Sequence, residues 1–192
     1  MMTHADNLIL QAYYTTILIN ELANNKFMES DFYRDMTFGQ PVIKEELKKI
    51  GLDNQGSALM ALYAMLVIPR EILEEKKYPA ERESLKEEKY RAEYKKLNYF
   101  LKDVVTNTVT NYPKDSPKVN FIEHIRNSVA HARVEFESND YVLFRDQGKR
   151  DGKDCKFETR LPLKFLGTFI GKCQAVHIRF ISDRISEMNN QG

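Results

Sequence analysis

Three residue types that together can handle a phosphate group fall within one short stretch: Arg126, Asn127 and His131. A histidine imidazole changes charge near neutral pH, at about 6.5 when unperturbed, so it can take or give a proton. An arginine guanidinium stays cationic and presents a planar fork of donors that matches phosphate oxygens. An asparagine amide can orient an imidazole or contact the same phosphate. His124 and Arg133 lie close enough in the chain to support such a site.

The stretch from Phe121 to Val134 reads as a short amphipathic helix. Ile122, Ile125, Val129 and Ala132 recur at spacings of three and four, which turns one stripe toward a core. His124, Asn127, Ser128 and His131 fall on a second stripe and are expected outside the core. Arg126 flanks that stripe, with a stem long enough to bring its guanidinium beside the imidazole.

The elements around this helix are mostly helical. Leu8, Ala12, Thr15, Leu18 and Leu22 keep helical spacing over Asp6 to Asn24. Lys26 to Pro41 reads as a loop or broken turn, and Val42 to Ile50 as a short helix stopped by Gly51. Ala58 to Ile68 is apolar around most of its circumference, so a central buried helix is expected there, interrupted by Pro69 before Glu71 to Lys76. Tyr13 and Tyr63 sit within apolar stripes and are expected to pack in the core rather than stack bases. Glu81 to Lys102 is rich in Lys and Glu, while Tyr90, Tyr94, Leu97 and Leu101 still repeat at helical spacing. That pattern fits a long amphipathic helix with a solvated face, an RNA contact by its lysines being the alternative. Thr106 to Lys118 reads as a loop.

After His131 the pattern becomes strand-like. Val134, Phe136 and Tyr141 to Phe144 carry strand propensity around a Ser138-Asn139-Asp140 turn, and Cys155 to Leu161 alternates. A last amphipathic helix runs from Pro162 to about Met188, with Phe165, Phe169, Val176, Phe180 and Ile185 among its apolar positions. The fold class expected is mainly α: a helical bundle with a small β-hairpin insert at about 133–161, before the C-terminal helix. Residues 1–192 are expected to form a single domain.

Composition bounds the function. Charged residues make up 30% of the chain, yet its net charge is only +1. Bulk positive charge therefore cannot hold nucleic acid, and any RNA contact must use local charge. Cys155 and Cys173 have neither metal-ligand spacing nor catalytic context, and a reduced pair is expected. No metal or cofactor is called for. The N-terminus shows no basic stretch followed by an apolar core, and no apolar run reaches membrane-spanning length. A cytoplasmic protein with no membrane partner is expected.

Arg126, Asn127 and His131, as Arg-Asn-x-x-x-His, resemble the motif of the HEPN superfamily, whose catalytic members are metal-independent ribonucleases of defence and toxin–antitoxin systems. The longer run His124 to Val134, followed by strands, is similar to a branch of small plasmid- and prophage-borne HEPN nucleases. The resemblance implies a HEPN-like bundle, an RNA substrate, and a homodimer whose two motif helices form one composite cleft. It also implies a candidate antitoxin or sensor partner. The catalytic residues it implies are Arg126, Asn127 and His131. His124, Arg133 and Glu71 are supporting candidates, Glu71 as a brace from a neighbouring helix. HEPN toxins paired with nucleotidyltransferases often carry a modifiable Tyr two residues after the His; Arg133 stands there, which sets this chain apart from that branch. The alternative reading is a non-catalytic HEPN module that binds nucleotide or RNA, or regulates a partner.

Overall fold

The computed structural model describes residues 4–69 and 88–189. Helix α1 (His4–Asn24) is followed by a 3-10 turn (Phe27–Glu29), α2 (Asp31–Asp35) and α3 (Pro41–Ile50). Gly51 closes α3 at φ +69°, donating its N–H to the Leu47 carbonyl, as the sequence leads one to expect. Helix α4 (Gln55–Leu62) is capped by Asn54, whose Oδ1 accepts the Ser57 N–H at 3.0 Å. It runs on into a π-helical turn, Tyr63–Val67.

Pro69 stands just beyond that turn. Proline has no N–H to give, so an α-helical bond to the Met65 carbonyl four residues back cannot form. His177 Nε2 serves the carbonyl instead, at 2.6 Å from the C-terminal helix. Burial pushes the His177 imidazole down to about 4, against which the Met65 contact works only in part.

Helix α5 (Glu88–Val104) leads directly into a strand, β1 (Thr106–Thr110). A 3-10 turn (Pro113–Asp115) then precedes the motif helix α6 (Phe121–Ala130). Strands β2 (Val134–Glu137), β3 (Tyr141–Arg150) and β4 (Lys153–Pro162) follow, and α7 (Leu166–Asn189) completes the described chain after a 3-10 turn at Leu163–Phe165. The fold is mainly α, but the strands form a four-stranded antiparallel sheet of order β1-β4-β3-β2 rather than an isolated hairpin. The fourth strand comes from the segment read as a loop.

Turn chemistry fixes the register. Asp151 and Gly152 both have positive φ (49° and 75°), the two-residue connection that matches strand twist between β3 and β4. Asp140, at φ 64°, ends the three-residue connection between β2 and β3. One sheet face presents Val142, Phe144 and Asp146 beside Leu161, Thr159 and Phe157. Its apolar members join Leu62, Met65, Leu97, Leu101, Ile125 and Phe169 in the core. The opposite face carries paired charges: Arg145 meets Glu135 at 2.8 Å and Glu158 at 3.3 Å, and Arg160 meets Glu137 at 3.0 Å.

Two tyrosines diverge. Tyr13 packs against the core, as expected, whereas Tyr63 is 46% exposed. Tyr63 follows Met60 by three positions, and Met60 is itself 61% exposed, so this side of the helix faces outward. Cys155 and Cys173 are free and buried, and burial pushes the Cys173 thiol up. Among the described residues, no helix is long and apolar enough to cross a membrane.

Candidate functional site

Two neighbouring segments hold the start of α6. Asn120 accepts the Glu123 N–H on its side chain at 3.4 Å, and its Nδ2 donates to Glu123 Oε2 at 3.1 Å. Asn98 of α5 donates to the Val119 carbonyl at 3.0 Å and accepts the Ile122 N–H at 3.3 Å. Two of the helix's orphan N–H groups are thereby satisfied.

The helix stops at Ala130, short of the expected Val134. His131 is the C-cap, and Ala132 adopts the left-handed region at φ 53°. The Arg133 N–H bonds the Ser128 carbonyl at 2.8 Å and the Ala132 N–H bonds that of Val129 at 3.2 Å, a Schellman termination. Alanine at this position conceals the stop, since glycine is the usual signal. Ala132 is therefore exposed and not part of the apolar stripe, and Val134 already belongs to β2.

The expected polar stripe divides. His124 and Ser128 are fully buried, with Phe121, Ile125 and Val129 on the same face, so the expectation that they lie outside the core is overturned. The physical reason is a pair of carboxylates distant in sequence. His124 Nδ1 lies 2.7 Å from Asp146 Oδ2, and its Nε2 lies 3.0 Å from Asp115 Oδ2. Each ring nitrogen thereby faces a carboxylate oxygen. Phe157 stacks on the imidazole at 4.3 Å between centroids, with 13° between planes. Ser128 satisfies its hydroxyl on the His124 carbonyl at 2.7 Å.

The two carboxylates are themselves well partnered. Asp115 accepts the Thr110 hydroxyl, and its Oδ1 faces the Asn120 N–H at 3.4 Å. Asp146 is only 4% exposed. Burial alone would raise its carboxyl, but the hydrogen bonds from His124 and Asn127, with the charges of His124 and Lys114, hold it below its ordinary value. Tyr112, tilted against the His124 ring at 4.7 Å, has its hydroxyl pushed up to about 12, by burial first and then by the Asp146 charge.

Asn127 donates its Nδ2 to Asp146 Oδ2 at 2.9 Å. Its amide is turned toward the sheet, so the expected contact that would orient His131 is not the one formed. Arg126 is half-buried, with its Nε enclosed. His131 is exposed, and among the described residues its imidazole enters no hydrogen bond or ion pair. Arg133 sends Nη1 to the Gln147 carbonyl at 3.1 Å, which ties the end of α6 to β3. Glu71 lies outside the described residues, as does the expected Glu71 to Lys76 helix.

Asp146, Asp115, Asn98 and Tyr112 are thus the positioning residues that motif reading passed over. Asp146 carried a signal: it shares the phase of Val142 and Phe144 on β3, so alternation places a carboxylate in the core, where it needs a partner. Asp115 sits in a polar turn and carried none. A groove of about 620 Å³ between α1, α4 and α7, with Ala12, Ile19, Ala58 and Ile170 in its lining, includes no residue of α6. Among the described residues, no cluster of His, Cys, Asp and Glu could hold a metal ion.

The arrangement is a rigid helix whose inner face is locked by a buried Asp–His–Asp bridge. It presents one uncommitted imidazole at its C-terminal end and a half-buried cation five positions earlier. A family model described as HEPN pEK499 p136 matches residues 2–184. No curated protein and no solved structure matches the chain.

Proposed function

The chain belongs to the HEPN pEK499 p136 family, and on that premise we propose that it is a metal-independent endoribonuclease of a bacterial defence or toxin–antitoxin system. The observation that carries this reading is His131, an exposed imidazole at the end of a helix anchored by Asp146. A structural histidine would be partnered, as His124 and His177 are. A general base must instead be open to substrate.

In the proposed reaction His131 takes the proton of a ribose 2′-hydroxyl as that oxygen attacks the neighbouring phosphorus. The bond from phosphorus to the 5′-oxygen then breaks, and this oxygen receives a proton from a second imidazole. The products are a 2′,3′-cyclic phosphate and a 5′-hydroxyl. Arg126 neutralises the charge that builds on the phosphorane oxygens. Asn127 fixes the helix against Asp146 rather than touching the phosphate.

Helical rotation favours a cleft shared by two chains. His131 stands five positions after Arg126, which at 3.6 residues per turn places them about 140° apart around α6. Pairing α6 with that of a second copy brings an arginine and a histidine from different chains to one phosphate, and supplies the second imidazole.

Incubation of the purified protein with mixed RNA in EDTA tests this. Cleavage by the wild type and none by His131→Ala is the expected result. RNA binding without cleavage by a folded dimer would favour a non-catalytic HEPN module instead.

A further inference from the structure

Lys95, Tyr99 and Lys102 recur at i, i+4 and i+7 along α5, so they share one face of that helix. All three are exposed. Lys118, from the loop before α6, places its Nζ 3.9 Å from the centroid of the Tyr99 ring, and Tyr99 remains 51% exposed. Many surface cations elsewhere are matched by carboxylates: Arg34 by Asp31, Lys49 by Glu46, Arg145 by Glu135 and Arg160 by Glu137. Among the described residues, none of Lys95, Lys102 and Lys118 enters an ion pair. Their fields converge on one atom: the Tyr99 hydroxyl is held below its ordinary value by the hydrogen bond from Lys118, then by the charges of Lys118, Lys102 and Lys95.

This face is fixed to the motif helix. Asn98, next to Tyr99, bonds both the Val119 carbonyl and the Ile122 N–H at the start of α6. From Ile122 to His131 the helix rises about 14 Å at 1.5 Å per residue.

We propose that Lys95, Tyr99, Lys102 and Lys118 form a subsite for single-stranded RNA, with a base stacked on the Tyr99 ring and neighbouring phosphates on the lysines. This rests on the nuclease reading and adds where the strand is held beyond the scissile phosphate. Cations without carboxylate partners around a half-exposed aromatic ring are what a single strand recognises: the lysines take its charge and the exposed part of the ring takes a base of any sequence. The near-neutral chain has to concentrate its positive charge to do so. A strand held here spans a few nucleotides to reach His131.

The test uses a short 2′-O-methyl RNA, which binds but cannot be cut, titrated into the full-length protein at several salt concentrations by fluorescence anisotropy. The variants are a Lys95→Gln/Lys102→Gln/Lys118→Gln triple, Tyr99→Ala, and a control carrying Lys48→Gln and Lys149→Gln. All are exposed positions, where substitution is expected to leave the fold intact. Single-stranded contacts contribute about 0.7 each to the slope of log affinity against log salt, so the triple variant should lower the slope by about two. Loss of base stacking in Tyr99→Ala should weaken binding by about fivefold or more. The control should match the wild type. An unchanged slope in the triple variant, unchanged affinity in Tyr99→Ala, or displacement of the RNA by polyglutamate at equal charge would each overturn the subsite. Cleavage in EDTA is read on the same preparations. Wild-type cleavage with cluster-independent binding refutes the subsite alone. Cluster-dependent binding with no wild-type cleavage refutes the nuclease reading and leaves an RNA site.

Discussion

Asp146→Asn keeps the shape of the side chain and removes its charge, so it isolates the contribution of the buried bridge beneath the motif. Asp146 Oδ2 takes both the His124 Nδ1 at 2.7 Å and the Asn127 Nδ2 at 2.9 Å. Hydrogen bonds to a charged group contribute about 1.5–3 kcal/mol each, roughly twice a neutral one. An asparagine oxygen would keep about half of two such bonds, so the expected loss is about 2 kcal/mol. For a chain of this length that lowers the melting temperature by about 6 °C. Asp146→Ala should cost more, about 3–5 kcal/mol, because His124 is then left in the core with a single carboxylate. Thermal unfolding followed by circular dichroism reads both. A double-mutant cycle with His124→Gln should show coupling of about 1 kcal/mol or more, since the two residues touch. If Asp146→Asn melts within about 1 °C of the wild type, or the two single effects simply add, the bridge does not hold the helix and the reasoning fails.

Five further outcomes follow from the same structure. His177 is held down at about 4 by burial, below the ordinary 6.5. Above the ordinary value both folded and unfolded chains carry it neutral, and it has no effect on stability. As pH falls from 6.5 toward 4 only the unfolded chain takes up the proton, so stability drops by about 1.4 kcal/mol per pH unit, about 3 kcal/mol in all. His177→Gln, whose amide can still serve the Met65 carbonyl, should flatten that window in urea titrations; an equally steep fall would refute the assignment. Asp146 acts in a lower window: its depressed carboxyl contributes stability above about pH 4, lost as pH falls through the folded value. Ala132→Gly should raise stability by about 1 kcal/mol, because φ 53° strains a Cβ that glycine lacks. Gly148→Ala should lower the melting temperature, since a Cβ there meets the Tyr112 hydroxyl oxygen at 3.3 Å beside Asp146. Mixing Arg126→Ala with His131→Ala protein should restore part of the cleavage that each variant lacks, and no recovery would count against a shared cleft.

Periodicity and turn residues made much of the fold readable. Gly51 ends a helix, Ser138-Asn139-Asp140 makes a turn, and Cys155 to Leu161 alternates because one face meets the core. Strand β1 escaped notice because its first four residues are exposed, leaving no apolar alternation. The end of α6 was hidden by an alanine in a glycine conformation. His124 was misplaced for a deeper reason. A polar residue belongs in a core only when its partners are there, and the partners Asp115 and Asp146 come from segments nine and twenty-two residues away. The motif residues were legible as chemistry; the bridge that positions them required the fold.

The chemistry of the cut ends tests the central claim most directly. RNA cleaved by the wild-type protein in EDTA should carry 2′,3′-cyclic phosphate and 5′-hydroxyl ends, with none produced by Arg126→Ala or His131→Ala. Cleavage that needs a divalent metal, leaves 5′-phosphate ends, or survives in His131→Ala would contradict it.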